Sequence, residues 1–310
     1  MFPAFLTTIF FSISAVCGRQ LARLLPGSEA NFWRLSLATF ALGLMVFLGQ
    51  GGIQASAFPL FFVSGCIGFG IGDLALFQAL PRLGSRLSVL IIHCLAAPIA
   101  AMTEWIWLGT TLSIVQMGAG FLILLGVAMA IAPGADWKNE PHAIGQGVFF
   151  AVIAALGQAL GAVLSRRADL LARTLGEDVG GINAAFQRII GGVIFCGIFL
   201  LVLQVVRKRT TAKALEHGIS ETKSTHSSWR KIWPWLAVNG LAGPVAGVSC
   251  YQWALKEQGT GVVLPIVAIT PLVVIPFSQI MEKEKLTLRS LLGGLLAVTG
   301  AVILAFYSRR

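Results

Sequence analysis

The sequence predicts an all-α membrane protein of about ten transmembrane helices, arranged as two inverted five-helix repeats. Hydrophobic residues make up 56% of the 310 residues and charged residues only 12%, whereas soluble domains carry about 25% charged residues. Mean hydropathy is +0.82. Apolar runs of about 18 residues or more, the length that crosses a bilayer, recur along the chain. Motifs of the first half also return in the second half in the same order, which indicates an internal duplication.

The apolar runs place the predicted spans at residues 3–22, 30–48, 57–79, 86–108, 113–132, 143–165, 182–206, 233–254, 262–281 and 288–307. A polar linker at residues 135–142 separates two repeats, 1–133 and 143–308. The longest polar segment, residues 207–231, is rich in Lys, Arg, Ser and Thr. It predicts a flexible loop because it has no apolar periodicity.

The composition and the missing motifs exclude several classes of protein. Too few charges remain to cover a water-facing surface, which excludes a soluble enzyme or a nucleic-acid binder. The net charge of +10 comes mostly from Lys and Arg between the apolar runs, as membrane topology requires. All five cysteines lie in apolar stretches without a CxxC spacing, which favours free buried thiols. The sequence contains no HExxH, Walker A or GxSxG motif, so we expect no metal site, no cofactor and no enzymatic activity.

The duplication is visible in short matched segments. Asn31–Leu35 resembles Ala185–Ile189, and Phe77–Leu80 resembles Tyr251–Leu255 with one extra residue. Because each half holds an odd number of spans, the second half enters the membrane upside down relative to the first. Inverted repeats of this kind are typical of secondary transporters, whose substrate site lies near the membrane midplane between the repeats.

These matched segments resemble the EamA family of the drug/metabolite transporter superfamily. The features that carry the resemblance in the first half are Arg34, Ala79-Leu80, Gly84-Ser85, Pro98, the segment 108–113 and the glycines from Gly118 to Gly126. Those of the second half are Arg188, Ala254-Leu255, Gly259-Thr260, Pro271, the segment 284–287 and the glycines from Gly293 to Gly300. The first half departs from the pattern at Thr110, where the family usually has Glu. The resemblance implies termini in the cytoplasm, whereas the excess of Lys and Arg on the opposite side implies termini outside; the two indications disagree.

Ionisable residues inside spans are the main candidates for substrate binding or coupling, because each costs about 2.5–3.5 kcal/mol at a helix centre. Asp73 lies well inside the third span; it is either a proton-coupling or substrate-binding carboxylate or a structural partner of a basic group such as Arg34. His93 lies in mid-span and can shuttle protons or bond a neighbouring helix. Glu104 lies beside two tryptophans near a span end, so an interfacial carboxylate competes with a gate or coupling role.

Further candidates come from polar, aromatic and proline residues in corresponding places. Gln78 and Gln252 could line a cavity or bond helix to helix, and Tyr251 and Trp253 stand beside the second of them. Two further residues, Pro98 and Pro271, predict helix breaks whose freed carbonyls can line a cavity. For Arg34 and Arg188, headgroup anchoring is the favoured interpretation, with pairing to a buried carboxylate as the alternative.

The sequence therefore predicts a secondary transporter that works by alternating access, with a small polar metabolite or an amino-acid-like solute as substrate and export as its direction. The predicted partners are the substrate, the lipid bilayer and protons, and the predicted location is the inner membrane of a bacterial cell. Two alternatives stay open: a non-transporting membrane sensor or scaffold, and an integral membrane enzyme, for which the sequence offers no convincing acidic pair to hold Mg²⁺.

Overall fold

The computed structural model describes residues 2–49, 52–53, 56–108, 113–131, 141–216, 228–258, 260–282 and 287–307. All regular secondary structure in these ranges is helical, which confirms the predicted all-α class. The first half contains α1 (Phe2–Leu24), α2 (Gly27–Leu48), α3 (Phe58–Gly65), a first π-helix (Cys66–Gly72), α4 (Asp73–Leu108) and α5 (Ile114–Ile131). The second half contains α6 (Pro141–Thr174), α7 (Gly181–Glu216), α8 (Trp229–Gly240), a second π-helix (Leu241–Gly247), α9 (Val248–Gln258), α10 (Thr260–Val267), α11 (Thr270–Glu282) and α12 (Leu288–Tyr307).

The Gly84-Ser85 pair, which lies between the predicted spans 57–79 and 86–108, falls inside α4 and divides it into two arms. Gly84 has φ 85° and ψ 166°, a backbone conformation that is open to glycine and strained for residues with a Cβ atom. The first arm continues α3 and the first π-helix, and the second arm runs on to Leu108. The break thus falls at the glycine, where the sequence placed the end of one span and the start of the next.

The two prolines predicted as helix breaks differ in the structure. Pro271 lies in the first turn of α11, directly after the interruption between α10 and α11, where a missing N–H costs little. Pro98 lies inside α4, which continues through it as a helix, so no helix ends there, and a role for the carbonyl that it frees stays a prediction. Neighbouring helices compensate for a proline inside a membrane helix.

Several stretches of the chain are long and apolar enough to cross a membrane. Among the described residues there are 6 such helical stretches, namely Phe2–Leu24, Gly27–Leu48, Phe58–Trp107, His142–Thr174, Gly181–Arg209 and Val262–Glu282. The third of these, 50 residues long, contains the turn at Gly84. Shorter apolar helices lie at Ile114–Ala130 and Leu288–Ile303. The chain is therefore an integral membrane protein by length and composition of its helices.

Close backbone contact joins the two halves at the periphery. The helices α5 and α12 pack against each other along their length, and a methyl group added at Gly126 would lie 2.6 Å from the Gly293 carbonyl oxygen. Glycines at such crossings let two membrane helices approach closely. This matches the glycine-rich character that the sequence shows in the last span of each half.

The polar segment at residues 207–231 is shorter as a loop than the sequence predicts. The helix α7 continues through residues 207–216, and α8 begins at Trp229; residues 217–227 lie outside the described residues. The prediction of a loop relied on the absence of apolar periodicity in this segment. A helix that is already formed can extend into a polar segment without such a periodicity, because adding residues to an existing helix is easier than starting a new one. Thr110, most of the linker at residues 135–142 and the segment 283–286 also lie outside the described part of the chain.

Candidate functional site

The central cavity of the protein is lined by helices of both halves. Its volume is about 110 Å³, measured as space open to the centres of water molecules, and a single water needs only about 10–15 Å³ of that measure. Apolar side chains form most of the wall. The polar residues of the wall are Ser14, Arg34, Asp73, His93, Gln158, Arg188, Asn239 and Tyr251. Few polar groups in an apolar cavity are typical of a small-molecule site.

Arg34 of α2 and Asp73 of α4 form an ion pair in the wall of this cavity. The guanidinium also donates from Nε to the Asn31 side-chain oxygen at 2.9 Å and lies over the Phe77 ring at 4.9 Å. Arg34 is 3% exposed. Headgroup anchoring, the interpretation that the sequence favours for this arginine, is therefore wrong, because a buried charge in a membrane helix needs a counter-charge inside the protein.

Arg188 of α7 is also buried, with 4% of its surface exposed, and headgroup anchoring is wrong for it as well. Its guanidinium lies over the Phe69 ring at 5.1 Å. Within the described residues its Nε has no hydrogen-bond acceptor. Asp73 is within electrostatic range of Arg188, but the ion pair of Asp73 is with Arg34. The cavity wall thus carries two guanidinium groups and one carboxylate.

His93 of α4 is held in one orientation by two neighbours. The Gln158 amide nitrogen lies 2.8 Å from His93 Nδ1, and the Phe11 ring stacks on the imidazole at 5.6 Å with an interplanar angle of 9°. Because an amide nitrogen only donates, Nδ1 accepts and the ring proton of a neutral imidazole resides on Nε2. The histidine therefore contributes an uncharged, oriented side chain to the wall.

Two further polar groups of the wall have unused hydrogen-bonding capacity. The Tyr251 hydroxyl and the Asn239 side-chain oxygen are buried and lack partners among the described residues. The Asn239 amide nitrogen, in contrast, donates to the Ser14 carbonyl at 2.6 Å, which fixes the side chain. Because buried polar groups are rarely left unsatisfied, these two groups are available to a solute or to water in the cavity.

The two π-helices position the two arginines in a reciprocal way. A methyl group added at Gly68 of the first π-helix would lie 2.9 Å from Arg188 Nη2, and one at Gly243 of the second would lie 3.6 Å from Arg34 Nη1. Each π-helix thus lies beside the arginine of the other half. Short π-helical insertions are frequent at functional sites because they widen the helix and shift the residues that follow.

Family comparison decides the identity of the chain. Residues 1–132 and 145–306 match the model of the EamA-like transporter family. The chain belongs to this family. The resemblance stated from the sequence is confirmed. EamA proteins of the drug/metabolite type are membrane transporters rather than enzymes, and the chain is therefore a membrane transporter with a small-molecule substrate and a lipid environment.

The structural comparison finds a similar fold along the whole of this chain. Among solved structures 28 chains match, and one of them, titled only as the crystal structure of a protein, has a TM-score of 0.63 and 17% sequence identity. That alignment covers 100% of this chain and 97% of the other. At this identity the likeness concerns the fold alone. No curated protein matches the sequence.

The structure brings three of the predicted site residues of this EamA chain together. Asp73, His93 and Tyr251 all line the central cavity. The partner of Asp73 is Arg34, as in the structural alternative that the sequence left open. Coupling by any of these residues stays a prediction.

The other predicted residues lie away from the cavity. Gln78 accepts hydrogen bonds from Arg82, and Trp253 Nε1 donates to Glu257 at 2.5 Å on an exposed surface. Glu104 accepts a hydrogen bond from Thr260 at the start of α10. Gln252 is buried beside Tyr251 but does not line the cavity.

Five polar residues of the wall escaped the sequence analysis as binding candidates: Ser14, Arg34, Gln158, Arg188 and Asn239. The detectable feature was their polarity inside apolar runs, since amide and charged side chains are rare in spans. No group of three or more His, Cys, Asp or Glu residues that could hold a metal ion occurs in the described ranges.

Proposed function

We propose that this EamA protein is a secondary transporter in the inner membrane of a bacterial cell, and that it exports a small polar metabolite or an amino-acid-like solute by alternating access. The two repeats would be residues 1–133 and 143–308, related by inversion in the membrane. The observation that carries the proposal is the cavity to which both halves contribute polar side chains within a largely apolar wall. A cavity at the interface of two repeats is where a secondary transporter binds its substrate.

The reciprocal contacts of the π-helices support the inverted relation. Gly65 ends α3 against the Arg188 backbone, and Gly240 ends α8 against the Arg34 backbone. In each half, a helix that ends in a glycine packs against the arginine-bearing helix of the other half. A pseudo-two-fold axis between the repeats produces a reciprocal arrangement of this kind.

Polar contacts at the two ends of the assembly support the idea of gates. At one end Arg19 of α1 pairs with Glu282 of α11, and the Ser85 backbone N–H lies 3.4 Å from the same carboxylate. At the other end Thr260 of α10 donates to Glu104 of α4. Both contacts join a helix of the first half to a helix of the second, so each could open and close as the halves rock.

At the second end, side chains of α6 donate hydrogen bonds to the C-terminus of α9. Arg166 donates to the Leu255 and Lys256 carbonyl oxygens, each at 2.9 Å, and Arg173 donates to the Lys256 carbonyl at 2.7 Å. Positive charge is favourable at a helix C-terminus because the terminal carbonyls are unpaired. We propose that these contacts keep α6 and α9 together as one moving unit.

The proposal is tested by uptake of a pooled metabolite mixture into proteoliposomes, read by mass spectrometry, with and without a pH gradient. Liposomes without protein are the control. We expect at least one solute to be enriched only where the protein is present. If folded protein enriches no solute while a metabolite still raises its thermal stability, the chain binds without transporting and the sensor alternative replaces this proposal.

A further inference from the structure

We infer that the solute of this cavity carries a carboxylate, and that Arg188 with the Tyr251 hydroxyl binds it. The inference rests on the proposed function for the transport of that solute, but the binding it describes is independent of transport. It begins from the residue that follows each π-helix. In the first half this residue is Asp73, and in the second half it is Val248.

This difference between Asp73 and Val248 determines the net charge of the cavity wall. Asp73 supplies the counter-charge of Arg34. At the corresponding place of the second half, directly after the second π-helix, stands Val248, a buried residue without charge that also lines the cavity. Between the two guanidinium groups and the one carboxylate, a single positive charge is left over in the wall.

Burial makes the surplus charge a binding determinant. Arg188 is 4% exposed and its Nε has no acceptor in the described part of the structure. A buried charge without a hydrogen-bonded partner is costly. An anion in the cavity would remove that cost, and a guanidinium offers two parallel N–H donors that match the two oxygens of a carboxylate.

The size of the charge favours one carboxylate over a phosphate. A monocarboxylate neutralises one surplus positive charge, whereas a phosphate monoester carries about −1.5 to −2 at neutral pH and would leave negative charge behind. The Tyr251 hydroxyl, 3% exposed and without a partner among the described residues, is a further donor in the same wall. His93 would remain neutral, because its Nδ1 already accepts from Gln158.

Ligand binding tests the inference directly. The probes are sodium lactate, pyruvate, benzoate and phenylacetate, each compared with its uncharged amide, and a phosphate monoester, glycerol phosphate. We expect at least one carboxylate to raise the melting temperature of the purified protein while its amide does not. Arg188→Gln should weaken the binding of that carboxylate by about ten- to a hundredfold. Arg82→Gln, which replaces a half-buried arginine that does not line the cavity, is the matched control and should retain binding. Stabilisation by glycerol phosphate alone, by the amides equally, or by none of the probes would overturn the inference.

A substitution at Val248 tests the same charge without any ligand. Val248→Asp places a carboxylate directly after the second π-helix, at the position that corresponds to Asp73 in the first half. In the natural background we expect Val248→Asp to leave the melting temperature unchanged or to raise it. In the Arg188→Leu background we expect Val248→Asp to lower the melting temperature clearly. Val248→Asp alone should also abolish carboxylate binding, because the internal carboxylate occupies the guanidinium. Equal destabilisation in both backgrounds would show that no uncompensated guanidinium lies there, and would contradict the inference even if transport is confirmed. Conversely, carboxylate binding without any flux in proteoliposomes would retain the inference and remove the proposed function.

Discussion

The two halves of this transporter place an arginine at equivalent points of the same frame, yet the surroundings of the two arginines differ. Arg34 has a carboxylate and an amide oxygen as partners, whereas Arg188 has an aromatic ring and a valine at the place of the carboxylate. The arginine of the first half therefore has a counter-charge, whereas no described residue forms an ion pair with the arginine of the second half. A duplicated fold can thus keep its architecture in both halves while the charges around equivalent residues differ.

The largest expected effect is a difference in stability between a variant that affects Arg34 and a variant that affects Arg188. Asp73→Ala strands the buried Arg34 charge and should lower the free energy of unfolding by about 3 kcal/mol. Arg188→Leu removes a charge that forms no ion pair within the described part of the structure and should leave that free energy unchanged or raise it by about 1 kcal/mol. Thermal unfolding in detergent measures both. Arg34→Leu/Asp73→Leu should recover most of the lost stability, and similar losses for Asp73→Ala and Arg188→Leu would break the comparison.

Equivalent glycines give a second contrast between the halves. A methyl group added at Gly65 would overlap the Arg188 carbonyl group and lie 3.2 Å from its Cα, whereas one at Gly240 would lie 3.2 Å from the Arg34 carbonyl oxygen. Gly65→Ala must push two helices apart and should lower the free energy of unfolding by about 2–3 kcal/mol. Gly240→Ala needs only a small adjustment and should change it by less than about 1 kcal/mol. Melting temperatures that rank the two variants in the opposite order would contradict the contact described at Gly65.

A third test concerns how pH changes the charge of the cavity wall and therefore the binding of an anion. The groups that face Asp73 in the cavity are Arg34 and Arg188, with His93 and Tyr251 also in the wall. Asp73 is the only carboxylate among the wall residues that the structure describes. Its protonation would remove that negative charge, so an anion should bind more tightly as the pH falls. Isothermal titration of the most stabilising carboxylate should show affinity rising with falling pH, by about tenfold per unit of pH at most.

The matched variant for this test is Asp73→Asn, which is neutral at every pH. It should bind the carboxylate tightly with little dependence on pH, and transport by this variant should lose its response to a pH gradient. His93→Gln is the control and should keep the pH dependence. The reverse result, in which His93→Gln abolishes the dependence and Asp73→Asn keeps it, would transfer the coupling role to the histidine.

The smallest effect is expected outside the membrane, where an ion pair has water to replace it. The Lys256 ammonium donates to Asp178 in the connection between α6 and α7, and this hydrogen bond holds the pKa of the Asp178 carboxyl below its usual value. A lowered pKa in the folded state adds stability above the unfolded pKa of about 3.9, and this addition is lost as the pH falls through the folded pKa. Because the Asp178 side chain is 81% exposed, Asp178→Asn should cost at most a few tenths of a kcal/mol at neutral pH. A loss as large as that of Asp73→Ala would mean that exposure does not distinguish these pairs.

The sequence alone predicted much of the fold because one physical constraint dominates it. A bilayer requires long apolar helices, and run length therefore locates α1, α2 and the turn at Gly84. The π-helices at Cys66–Gly72 and Leu241–Gly247 were not predictable in this way, since a π-helix and an α-helix of the same apolar composition have the same run length.

The site was predicted less well than the fold, for a different reason. Asp73, His93 and Tyr251 attract attention as polar groups in spans, but polarity does not reveal which face of a helix a residue occupies. Glu104 and Trp253 were equally plausible and lie elsewhere. The importance of Arg188 emerges only from the contrast of Asp73 with Val248, which requires the two π-helices to be matched in space.

The most direct test of alternating access is to lock each end of the protein and measure transport. In a background where the five native cysteines are replaced, cysteines at Arg19 and Glu282 would be linked by a bifunctional methanethiosulfonate reagent, and cysteines at Glu104 and Thr260 would be linked in a separate variant. A link between Gln116 and Tyr307, which join α5 to α12 on an exposed surface, is the control. We expect either end link to stop flux of the solute found in proteoliposomes, reduction to restore it, and the control link to leave it unchanged. Flux that continues with either end linked would contradict alternating access of the two halves around this cavity.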